Sequence, residues 1–204
     1  MRKELEYFQI ENAYGGSQDW FGDPMMKLGG CGAVTACDCC IYFDLYKGTS
    51  LYPYDKTKLT KNDYVRFGMK MKPFLRPRWS GIDRLELYTE GLRKYFDSIS
   101  DDSLILTEFS GENSVQNGVK MLKYQIDNGF PVPFLLLKHR ERFYRDYEWH
   151  WFLFTGYEIY EDSCMAKAVT YGSWQWLDFN DLWNTGYARK GGMICCSLKE
   201  RSDR

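Results

Sequence analysis

Two side chains in this 204-residue chain have types and settings that can do chemistry together. Cys31 stands in GGCGAVTA, framed by Gly29, Gly30 and Gly32, where a helical pattern begins. The working nucleophile of a cysteine is its thiolate, yet a free thiol is mostly protonated at neutral pH. A sulfur at a helix N-terminus meets unpaired N–H groups and the positive end of the macrodipole, and a nearby imidazolium adds to both. A depressed thiol pKa is therefore expected at Cys31. Glycines on either side leave space for a substrate carbonyl to reach the sulfur.

The chain offers two histidines as a base for that thiol. His139 lies in the charged run KHRERFYRDYE and reads as a solvated side chain. His150 opens the apolar run WHWFLFTGYE between Trp149 and Trp151, so it is either a satisfied core residue or a base held rigid by a strand. Beside a helix-opening cysteine, the base reading is preferred: thiol plus imidazole is a nucleophile–base couple for acyl transfer.

Periodicity supplies the elements that must hold these groups. Apolar residues over 31–46 predict a buried helix; further helices are predicted over 61–72, stopped by Pro73, over 85–96, and over 114–127, closed by Asn128-Gly129. After Gly129 the pattern turns strand-like, over 132–138, 149–157, 166–171, 175–177 and 192–198. Helices first and adjacent short strands later predict a single α+β domain spanning 1–204, with an antiparallel sheet in its C-terminal half.

Composition narrows the partners. Apolar content of 44%, charged content of 27% and net charge −1 describe a globular chain with no global bias toward nucleic acid or acidic ligands. Residues 47–78 carry nine Lys and Arg against Asp55 and Asp63, interleaved with Tyr52, Tyr54, Tyr64, Phe67 and Phe74 and followed by Trp79. Without a nucleic-acid motif, this stretch reads as a basic aromatic insertion over about 47–80, with its rings turned to the core. No run approaches membrane-spanning length and the N-terminus lacks an apolar signal core, so a cytoplasmic protein without a membrane partner is expected. The seven cysteines accordingly read as reduced thiols. Cys37, Asp38, Cys39, Cys40 and the Cys195-Cys196 pair lack zinc-knuckle spacing and read as small buried residues. Glu108, Glu112 and Asp162 form no defensible acid/base pair, and neither a phosphate loop nor a G-x-S-x-G elbow occurs.

Taken in order, several segments resemble the papain-like cysteine peptidases, most closely their bacterial C39-like branch. They are Gln18 in SQDWF, GGCGAVTA with Cys31, the strand NGFPVPFLLL, WHWFLFTGYE with His150, and a closing strand followed by LDFNDLW. The resemblance implies a papain-like α+β fold, with the Cys31 helix packed on the sheet that presents His150. It implies a cysteine hydrolase that cleaves peptide or amide bonds through a thioester and needs no cofactor or metal. Cys31 would be the nucleophile, His150 the base, and Gln18 the oxyanion donor beside the Cys31 N–H, with Asn12 a weaker substitute. The sequence departs from the family where an Asn or Asp usually orients the histidine. Neither occurs between Ala166 and Trp176, so Thr170, Ser173 or a backbone carbonyl is left to accept from the imidazole. That departure keeps open a peptide-binding module that does not cut, and an amine acceptor would make the enzyme a transglutaminase-like acyltransferase.

Overall fold

A computed structural model of the chain describes residues 1–78, 81–161 and 163–199; Trp79 and Asp162, singled out above, lie outside them. In chain order the elements are β1 (Arg2–Glu4), β2 (Gln9–Ile10), β3 (Ala13–Tyr14), α1 (Pro24–Gly29), α2 (Cys31–Tyr46), α3 (Lys61–Met71), α4 (Leu85–Ser98) and β4 (Leu104–Ser110). They continue through α5 (Val115–Asp127), β5 (Val132–Leu136), β6 (His150–Tyr160), β7 (Ser163–Thr170), β8 (Ser173–Asp178), α6 (Phe179–Trp183) and β9 (Gly192–Leu198). The fold is α+β. Its main sheet runs β4-β9-β5-β6-β7-β8, with β1 paired to the far half of β6, and every pairing is antiparallel.

Every residue of α2 from Cys31 to Asp44 is buried, which explains its composition. Gly32, Ala33, Ala36, Cys37, Cys39 and Cys40 are small enough for the sheet and neighbouring helices to close on it from all sides. Trp151 of β6 packs against the start of α2, stacks on Tyr88 of α4 at 4.3 Å and donates its indole N–H to Ile82 O at 2.6 Å. On the other side of the sheet, Phe134, Phe154, Phe179 and Trp183 form a ring cluster with α6.

The strict order of helices followed by strands does not hold. Strand β4 falls between α4 and α5, and three short strands precede the first helix. In β4, Leu104 and Leu106 are buried while Ile105 and Thr107 are exposed. That alternation is the signature of a strand with one face on the core, and seven residue pairs join it to β9 at the edge of the sheet. Residues 47–78 pack through Tyr52, Tyr64, Phe67 and Met71, all buried. Several of their cations are engaged within the fold: Lys47 lies over Phe130, Arg66 and Lys70 over Tyr54, and Lys72 pairs with Asp23. Among the described residues no helix is long and apolar enough to cross a membrane.

Candidate functional site

Cys31 is the first residue of α2, and Gly30 caps the helix without a side-chain hydrogen bond. The glycines around the thiol serve packing, contrary to the expectation that they leave space for a substrate. A Cβ on Gly30 would overlap the Met26 carbonyl. One on Gly29 would lie 2.8 Å from Arg78 O, and one on Gly32 would lie 2.9 Å from the Ile82 side chain. Backbone and core occupy what a side chain would need.

His150 is the first residue of β6, in register with Leu136 of β5. Its Nε2 lies 2.8 Å from Thr170 Oγ1, at the end of β7. Thr170 is therefore the imidazole's partner, and Ser173 is not. Ser173 sits opposite Thr170 across the β7–β8 turn, exposed to solvent. The turn itself, Tyr171-Gly172, has φ of 52° and 69° at its two central residues, as a two-residue hairpin of matching twist requires. Tyr171 takes this left-handed conformation at some cost in strain, and its ring stacks on His150 at 4.9 Å and 3°. Trp149, immediately before His150, is also left-handed, with φ 57°. Strained residues thus adjoin both members of the His150–Thr170 pair.

Cys31, His150, Thr170 and Gln18 line one cavity of about 10 Å³, room for about one water molecule, together with Thr35, Asp38, Trp151 and Tyr171. The two reactive side chains are nearly sealed from solvent: Cys31 is 4% exposed and His150 5%. Gln18 donates from Nε2 to Lys27 O at 3.1 Å, and its Oε1 is buried without a hydrogen-bond partner. An Nε2 amide has a second N–H beyond the one given to Lys27.

Burial sets the electrostatics, and it reverses the expectation for the thiol. Burial pushes the Cys31 pKa up, while the backbone N–H groups of Trp151, Gly32 and Cys31 itself pull it down by less. The His150 pKa is lowered to about 4 by the same desolvation. Near pH 7 the resting pair is therefore a neutral thiol and a neutral imidazole. The helix terminus contributes, but it does not outweigh the loss of water.

Sequence reasoning missed the group that joins the site's parts. Asp38 lies seven residues after Cys31, two turns along the same side of α2, and is fully enclosed. Its carboxylate accepts from Tyr7 OH at 2.8 Å, Tyr64 OH at 2.7 Å and Gly16 N at 3.1 Å. Gly16 O in turn accepts from Gly172 N at 2.9 Å, and Tyr14 N donates to Gly172 O at 2.8 Å. Asp38 thus fastens the loop that leads to Gln18, and through it the Thr170 hairpin, onto the helix that bears Cys31. The available signal was an acid in the middle of a largely apolar helical pattern, a group that must find partners when buried. Burial holds its pKa up, at about 6.

The remaining candidates fall elsewhere. His139 is buried, contrary to its reading as a solvated side chain: Nδ1 accepts from Glu141 N at 3.0 Å and Nε2 lies 2.9 Å from Asp181 O. It helps shape the loop before β6. All seven cysteines are free and buried, and among the described residues no group of three or more His, Cys, Asp or Glu is disposed to hold a metal ion. Compared with family models, with curated proteins and with solved structures, the chain matches none.

Proposed function

We propose that this chain is a cysteine-dependent acyl-transfer enzyme of papain-like design that hydrolyses a peptide or other amide bond. The observation that carries the reading is the shared cavity, which Cys31, His150 and Gln18 all line, with Thr170 engaging Nε2 of the imidazole. With Thr170 accepting from Nε2–H, the ring is the tautomer whose Nδ1 bears the lone pair.

Because the resting pair is neutral, the Sγ proton passes to Nδ1 as the sulfur attacks the carbonyl carbon. The oxyanion that forms accepts from the N–H of Cys31 and from the second N–H of Gln18 Nε2. The imidazolium then gives its proton to the departing amine, leaving a thioester. A water molecule, deprotonated by Nδ1, attacks the thioester and releases the carboxylic acid and the thiol. The cavity holds about one water molecule, so the wall formed by Tyr171 and Gln18 must move for an acyl group to enter. A second reading, a peptide-binding module that does not cut, draws on the same closure and on the neutral pair.

An activated ester such as p-nitrophenyl acetate separates the two. The expected product is one acetyl group per chain, mapped by mass spectrometry to Cys31 and discharged by water or faster by hydroxylamine. All seven thiols are buried, so labelling confined to Cys31 would reflect its chemistry and not its exposure. His150→Ala should slow acylation by about 10²–10⁴-fold, the range for loss of a positioned base. Acetylation spread over several cysteines, or equal in His150→Ala, would remove the enzyme reading.

A further inference from the structure

A second, larger cleft of about 410 Å³ opens on the other side of the His150 strand end, lined by Leu137, Lys138, Trp149, Tyr187, Ala188 and Arg189. We infer that this cleft receives the leaving-group portion of the substrate and selects one that carries a carboxylate. The inference rests on His150 serving the departing amine, because Trp149 is the residue that leads into it.

Three observations converge on the cleft. The first is its place. Trp149 is held left-handed at φ 57°, with its N–H on Leu137 O at 3.0 Å, so that one short turn of chain forms both the cleft wall and the base. The Trp149 carbonyl lies against Gly81, and the next residue, Ile82, packs on Gly32 beside Cys31. Asp83 then reaches Arg189 at the cleft. The 81–83 run therefore joins the thiol's surroundings to this cleft.

The second is charge. Lys138 and Arg189 both line the cleft, and no acidic residue does. Asp83 engages Arg189 through Nη2 alone, at 2.6 Å to Oδ2 and 3.1 Å to its carbonyl oxygen, which leaves the other guanidinium N–H groups for a ligand. Arg140 adds a third cation nearby, stacked over Tyr187 at 5.7 Å. The third is shape. Trp149 and Tyr187 give flat apolar walls, and the Arg189 guanidinium sits 5.9 Å from the Trp149 ring, within cation–π reach. An apolar slot with two cations at its rim suits a carboxylate on an apolar stem.

The test measures binding, so it does not depend on turnover. Three tripeptides serve as probes: Ala-Ala-Ala with a free C-terminus, the same peptide amidated, and acetyl-Ala-Ala-Glu-amide. Binding is read on the intact chain by the shift of the Trp149 indole resonance, assigned with Trp149→Phe. At least one carboxylate-bearing peptide should bind about tenfold more tightly than the amide, and comparing the two locates the carboxylate at the terminus or on a side chain. Lys138→Gln and Arg189→Gln should each cut the preference by up to about fivefold, as for partly exposed ion pairs, with Arg189→Lys between. Lys138→Gln leaves the Asp83 contact intact and guards against misfolding in Arg189→Gln. Equal affinity for all three peptides, no binding, or a preference unmoved by both variants overturns the inference. Selective binding without acylation of Cys31 would retain the cleft and remove the chemistry; acylation without charge selectivity would do the reverse.

Discussion

Replacing Asp38 by Asn keeps the side chain's size and removes its charge, and the consequence can be worked out from the surroundings. Burial raises the Asp38 pKa from the usual 3.8 to about 6, against the opposing pull of hydrogen bonds from Tyr64, Tyr7 and Gly16. A carboxyl group that binds its proton more tightly when folded stabilises the fold fully below pH 3.8, and that contribution is lost as pH rises through 6. About two pKa units correspond to about 3 kcal/mol, most of it between pH 7 and pH 4. His150 acts in the opposite sense: with its pKa lowered to about 4, it weakens the fold as pH falls from 6.5 toward 4. Wild-type stability should therefore change little from these two groups across that window. The difference between wild type and Asp38→Asn isolates the aspartate, because every other group cancels. Urea unfolding at pH 4, 5, 6 and 7 should show this difference moving by roughly 2–3 kcal/mol in favour of the wild type as pH falls. A flat difference would mean that the hydrogen bonds balance burial, and one that favours the wild type more at pH 7 that they outweigh it; either would make this account of the site's electrostatics wrong.

Other consequences concern the parts that Asp38 joins. Thr170→Val leaves the buried His150 N–H without an acceptor, at a cost of about 1–3 kcal/mol. Acylation of Cys31 should slow by about 5–150-fold, whereas Thr170→Ser should retain most of the rate; equal rates in wild type and Thr170→Val would show that the hydroxyl does not orient the ring. Gly16→Ala would drive a Cβ into the Tyr64 ring. Overpacking of this kind costs about 1–3 kcal/mol, so calorimetry should find Tm lower by about 3–10 °C. An unchanged Tm would mean that Tyr64 moves aside and that the contact with Asp38 is loose.

A thiol at the start of a helix is often reasoned about as if the terminus alone set its pKa. In this fold the terminus is inside. The same small residues that let Trp151, Arg78 and Ile82 close on the start of α2 also exclude the water that would stabilise a thiolate. The pair therefore depends on the proton moving during attack, and on an opening motion at Tyr171, the more exposed wall of the cavity, 43% accessible.

What local pattern can specify was legible in the residues themselves. The bounds of α2 follow from Gly30, an apolar run and a polar exit, and α5 follows from Ser114, whose hydroxyl accepts from Asn117 N at 3.3 Å. The strand runs after Gly129 are similarly local, because side-chain direction repeats every two residues. The candidate nucleophile and base could be named from their residue types and settings. Which hydroxyl serves His150 could not, since Thr170 and Ser173 face each other across the same hairpin end, and only the packing of that hairpin beside β6 decides which one the imidazole reaches. Nor could the role of Asp38, whose partners Tyr7, Gly16 and Tyr64 come from three separate parts of the chain. The protonation states of Cys31 and His150 belong to the same class. Hydration depends on what the whole chain places around a group, and no window of neighbouring residues contains that quantity.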